Sequence, residues 1–105
     1  MGHPRPKPER LAEKLRQIRL TLGLSQQAIH RQLGVEDLIA YNEISKYELG
    51  KNEPYLQILL QYARIAGVHT EALIDDQLDL PAKLPGDVRH EEIKRKYTPR
   101  SKLKR

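Results

Sequence analysis

Glycines at positions 23, 34, 50 and 67 cut the chain into short segments, and each segment carries apolar residues at helical spacing before it reaches its glycine. A glycine just past the last periodic apolar residue is a helix stop signal. A chain punctuated this way builds short helices joined by tight connections. No segment shows the strict apolar–polar alternation of a half-buried strand.

The first segment, "ERLAEKLRQIRLTLG", places Leu11, Leu15, Ile18 and Leu22 on one helical face before Gly23. Ser25 is an N-cap for a second helix, "QQAIHRQL", with Ala28, Ile29 and Leu33 inward and Gly34 as its stop. Val35 follows as an apolar plug. A third helix runs through Ile44 and Tyr47 to about Leu49 and stops at Gly50. Pro54 is predicted in the first turn of a fourth helix, "YLQILLQYARIA", whose apolar positions are Leu56, Leu59, Leu60, Ala63 and Ile65 or Ala66. Gly67 closes it, and Thr70 caps a short fifth helix, "EALI". The fold class is therefore all-α, a bundle of five short helices over residues 9–76.

The flanks differ in character. Residues 1–8, "MGHPRPKP", alternate proline with basic residues; they read as a disordered terminus, with an arm on DNA phosphates as the alternative. Residues 77–105 have no sustained period, and "IKRKYTPRSKLKR" carries no acid, so they read as a basic, largely disordered tail. The 105 residues carry a formal charge of +5, a balance suited to a polyanionic partner. There is no cysteine, which excludes disulfides and thiolate metal sites. No run reaches the length of a membrane helix and no signal peptide is evident, so the expected location is cytoplasmic.

Enzyme chemistry has little support. His3, His30, His69 and His90 are scattered without ligand spacing, and the neighbours Asp75 and Asp76 read as solvent or helix-dipole partners rather than a catalytic dyad. No phosphate-cradling glycine loop is present. No metal or cofactor is expected.

Two short helices joined by a glycine turn are the elements of a helix-turn-helix, whose second helix enters the DNA major groove. Here "LRQIRLTLGLSQQAI", "LGV", "ISKYELGKNEP" and "LLQYARIAGVHTEALI" follow one another in order. Together they resemble the lambda-repressor/Cro-type helix-turn-helix family, also called the xenobiotic-response-element type. The resemblance spans about Leu11 to Ile74. It implies the five-helix bundle, sequence-specific binding of double-stranded DNA in transcriptional control, and commonly a homodimer on palindromic half-sites.

The resemblance also assigns residues. Gln26 opens the second helix where members meet backbone phosphate, and Gln27 is adjacent. Tyr41, Asn42, Ser45 and Lys46 match groove-facing positions of the third helix. Asparagine can bond adenine and lysine can reach guanine acceptors. Tyr41 suits a thymine methyl or a phosphate, and Ser45 a phosphate or sugar. Lys51 and Asn52 match a loop that approaches the DNA backbone. Arg19 and Glu48 match an ion pair that ties the first helix to the third. The alternative function is an antitoxin-like or adaptor module that holds a protein partner on the same bundle.

One stretch departs from the pattern. Members place the isoleucine of the reading helix five residues after the valine, whereas Ile44 follows Val35 by nine, leaving four residues extra within "EDLIAYNE". Either the turn lengthens or the third helix gains about one turn at its front. Asp37 as N-cap, and Ala40 four residues before Ile44, favour the longer helix.

Overall fold

A computed structural model describes residues 7–86. These hold five helices: α1 Leu11–Thr21, α2 Gln26–Gln32, α3 Asn42–Glu48, α4 Leu56–Ala66 and α5 Thr70–Ile74. No strand occurs among the described residues. α1 crosses the bundle, touching α3, α4 and α5, while α2 packs on α3.

The glycine stops act as the sequence predicts. After α1, Gly23 takes φ +72°. Its amide donates to the Leu20 carbonyl at 3.1 Å, and the Leu24 amide reaches back to Arg19 O at 3.1 Å. This paired closure satisfies carbonyls that the helix end would leave open, and it needs a left-handed residue, which glycine supplies without a Cβ penalty. α3 closes in the same manner, with the Lys51 amide on Lys46 O at 2.9 Å. Ser25 caps α2 as expected, its Oγ accepting from the Ala28 amide at 3.0 Å.

The core gathers Leu11, Leu15 and Ile18 from α1, Ile29 and Leu33 from α2, and Ile44 and Tyr47 from α3. Val35 is buried, as its place in the turn suggests. On α4 the inward face is rotated from the expected one: Ile58, Leu59, Tyr62, Ala63 and Ala66 are buried, Leu60 lies at the edge, and Leu56 stands 82% exposed. Two caps also shift. The chain stays extended at Tyr55, so Pro54 precedes the helix instead of sitting in its first turn. Thr70 is the first residue of α5, and His69 holds the cap position without a side-chain bond.

The longer third helix favoured by the sequence does not form. The extra residues make a separate turn in which the Leu38 and Ile39 amides both donate to Val35 O, at 2.9 and 3.0 Å. α3 then starts at Asn42, with Tyr41 rather than Asp37 at the cap position. Ala40, expected inward, is exposed, and Ile39 is buried in its stead. The reason is angular. Five residues apart on one continuous helix, Ile39 and Ile44 would face roughly 140° away from each other. Breaking the chain at Ala40 lets both enter the core. His30, itself buried, fixes the break: its Nε2–H donates to the Ile39 carbonyl at 2.7 Å.

The segment read as disordered tail needs a second correction. Leu80 and Leu84 are buried in the same core, at 7% and 1% exposure. Gly86 approaches α4 so closely that a Cβ there would lie 1.9 Å from the Ile65 carbonyl oxygen. Packing thus continues past residue 76 to residue 86. The basic stretch that follows, and the arm before residue 7, lie outside the described residues.

Candidate nucleic-acid interface

The interface begins with how α3 is held. Arg19, near the end of α1, donates from Nε to Glu48 Oε2 at 2.7 Å and from Nη2 to Glu48 Oε1 at 3.0 Å. Its Nη1 donates to the Leu24 carbonyl at 3.0 Å. The side chains are 13% and 4% exposed. The pair is two-pronged and largely shielded, the geometry in which a guanidinium and a carboxylate fix each other's orientation. The bonds to Glu48 hold the Arg19 guanidinium above its ordinary pKa. Gln26 joins them, its Nε2 donating to Glu48 Oε1 at 3.3 Å. One carboxylate therefore gathers α1, the first residue of α2, and α3. Below it lies Tyr62, whose buried hydroxyl has no hydrogen-bond partner among the described residues. Burial, reinforced by nearby Glu48, pushes that phenol far up.

This lock sorts the two faces of α3. Ile44, Tyr47 and Glu48 point inward, and burial pushes the Tyr47 phenol up to about 12. Tyr41, Asn42 and Lys46 are exposed and Ser45 is half-buried. They fall at three- and four-residue intervals, so they line one outer stripe of the helix. Gln27 is exposed at the start of α2, and Lys51 and Asn52 are exposed just past Gly50. The assigned residues are thus accessible, with one difference. Gln26 is half-buried and its amide nitrogen is engaged by Glu48, so it stands first as part of the lock.

Three participants escape sequence reasoning. His30 anchors the turn before α3. Leu24 supplies only a carbonyl. Glu43, in the first turn of α3, accepts from Lys46 Nζ at 3.4 Å and from Asn52 Nδ2 at 3.2 Å. The first two bonds each end on a main-chain carbonyl, which leaves no residue signature. The third was legible in part, because Glu43 and Lys46 stand at a helical pair spacing.

Two consecutive short helices, here joined by a connection lengthened by the turn at Val35–Ile39, the second with its inner face locked and its outer face polar, form a helix-turn-helix unit. A family model described as a helix-turn-helix domain matches residues 12–77. The chain belongs to that helix-turn-helix domain family. No curated protein and no solved structure matches it. A helix-turn-helix domain supports DNA as the partner. No helix among the described residues is long and apolar enough to cross a membrane.

Proposed function

We propose that the chain is a sequence-specific, cytoplasmic DNA-binding regulator of transcription, of the lambda-repressor/Cro type, that reads the major groove with α3. The observation that carries this reading is the Arg19–Glu48 lock, which fixes α3 to α1 while its stripe of Tyr41, Asn42, Ser45 and Lys46 faces outward. A reader needs that combination, since base discrimination requires donors and acceptors held at a fixed angle to the groove. Gln27, Lys51 and Asn52 flank the stripe as phosphate contacts, and the net positive charge supplies salt-dependent affinity. A homodimer belongs to the same reading. Leu56 and Ile74, exposed on α4 and α5, offer apolar surface for a second copy.

Selection from random oligonucleotides with the full chain tests the proposal. It is expected to enrich one site, palindromic for a dimer. Lys46→Ala should flatten the preference at one position. Lys51→Ala should weaken binding to all sequences alike and reduce the salt slope by about 0.9, one phosphate contact. Absence of any enriched sequence, together with a small protein that binds the chain stoichiometrically, would favour the antitoxin-like reading on the same bundle.

A further inference from the structure

Glu43 is the acid that a DNA-reading helix ought to avoid. It lies in the first turn of α3, on the helix that carries the reading stripe, where its charge opposes phosphate. Its structure gives it a specific occupation. Oε2 holds Lys46 Nζ at 3.4 Å, on the same helix, and Oε1 holds Asn52 Nδ2 at 3.2 Å, in the loop beyond Gly50. One carboxylate thus ties together two groups that would meet DNA from different elements. The side chain of Glu43 is 26% exposed and that of Lys46 is 46% exposed, so the pair stands at the surface and can exchange partners.

We infer that Glu43 is a specificity-determining residue that reads one G·C base pair jointly with Lys46 and withholds Lys46 from non-specific phosphate; this rests on the DNA-reading function proposed above. The chemistry is complementary. In the major groove guanine presents two acceptors, O6 and N7, and its partner cytosine presents the N4 amino donor. A lysine beside a carboxylate offers the matching donor and acceptor. On such a pair both side chains find new partners as they leave each other. On an A·T pair guanine's second acceptor is replaced by adenine's amino group, which opposes the lysine. On random DNA, Lys46 must leave Glu43 to reach a phosphate, and Glu43 is left facing negative charge. The carboxylate therefore lowers affinity for all sequences and lowers it least for the one that can satisfy it.

The test compares the parent with Glu43→Gln, Glu43→Asp and Glu36→Gln by random-oligonucleotide selection and by titration from about 50 to 200 mM salt. Glutamine keeps the size of the side chain, loses the charge, and suits adenine's N6 and N7. Glu43→Gln should lose about tenfold or more of the discrimination at one G·C position and admit A·T there. It should also bind random DNA more tightly. With Lys46 released to one extra phosphate, it should lose about threefold more affinity than the parent across that salt range. Glu43→Asp keeps an anionic acceptor and should keep the G·C preference and the parental slope. Glu36→Gln removes the same charge from an exposed site in the preceding turn, so it measures the effect of net charge alone. Unchanged preference in Glu43→Gln, or an effect equal to that of Glu36→Gln, overturns the inference. So does a parallel loss of melting temperature and of all binding, which would make Glu43 merely structural. A parent chain that enriches no sequence fails earlier and overturns the DNA-reading function itself, so the two failures are distinguishable.

Discussion

The two ends of α1 are each fastened by a cation shielded from solvent, and they do it by opposite means. Near its end, Arg19 meets a carboxylate with two parallel bonds and fixes α3. Near its start, Lys14 is fully buried yet is held by main-chain oxygens, donating to Ala72 O at 2.8 Å and Asp75 O at 2.9 Å. Those carbonyls close the far end of α5, where the helix carries partial negative charge. Arg10 extends this second lock onto the Asp76 carbonyl at 2.9 Å and the Asp79 carboxylate at 2.7 Å. Asp76 answers from the other side, its carboxylate accepting from the Glu9 and Arg10 amides at 2.9 and 3.0 Å. It therefore caps α1, whose own N-cap residue, Arg10, offers no side-chain acceptor to the first-turn amides. The first lock sets the angle of α3. The second closes the chain ends of the domain over the core.

The difference predicts unequal damage. Arg19→Ala strands Glu48 as a nearly buried carboxylate with only Gln26 beside it. It should cost about 3 kcal/mol or more, measured by urea unfolding, because an uncompensated buried charge is worse than none. Replacing both partners with apolar residues of similar volume should recover much of that stability without restoring DNA recognition. Lys14→Met removes a buried charge along with its bonds. Two carbonyls lose their donor, but the cost of burying an ammonium group disappears too. The loss should be smaller, about 1–2 kcal/mol, with DNA preference retained. Equal costs for the two variants would erase the distinction between the locks.

Acid separates them further. Bonds from the Glu9 and Arg10 amides hold the Asp76 carboxyl below its ordinary value. A depressed carboxylate stabilises the fold above its unfolded value of about 3.9, and that contribution is lost as pH falls through the lower native value. The parent should therefore exceed Asp76→Asn in stability near neutral pH, with the gap closing as the solution is taken below about pH 4. The check is urea midpoints of both proteins across pH 2–7. A gap that stays constant would show that the cap does not depend on charge.

The same contrast explains what could be read in advance. Arg19 and Glu48 are both charged side chains in recognisable motifs, so their partnership was legible although 29 residues separate them. The Lys14 bonds had no such signal, since the main-chain carbonyls that accept them carry no signature of their own. The sequence reads Asp76 as a solvent or helix-dipole partner and names no helix for it; its carboxylate accepts at the start of α1, from the Glu9 and Arg10 amides. The turn before α3 is hidden in the sequence for a related reason. Helix propensity and a cap candidate argued for continuity, while the need to bury both Ile39 and Ile44, and the His30 bond that secures the break, are tertiary facts. Leu80 and Leu84 escape because two leucines set among prolines show no period, yet both are buried in the same cluster as Ile18.

The smallest expected effect lies beneath the stronger lock. Tyr62 is fully buried, close enough to Arg19 and Glu48 to feel both charges, and its hydroxyl bonds to neither. Leaving a buried hydroxyl unpaired costs about 1–3 kcal/mol, so the ring must contribute enough packing to offset it. Tyr62→Phe keeps the ring and deletes the orphan. It should change stability by less than about 1 kcal/mol, and in the stabilising direction. It should also leave DNA preference intact, because the two bonds from Arg19 to Glu48 do not pass through the phenol. A marked loss on Tyr62→Phe would mean that the hydroxyl supports the Glu48 carboxylate in solution. The lock would then have three side-chain donors, Arg19, Gln26 and Tyr62, and Arg19→Ala would be expected to cost less than predicted above. Measuring the two variants singly and together separates the cases, since independent sites add and a shared carboxylate does not.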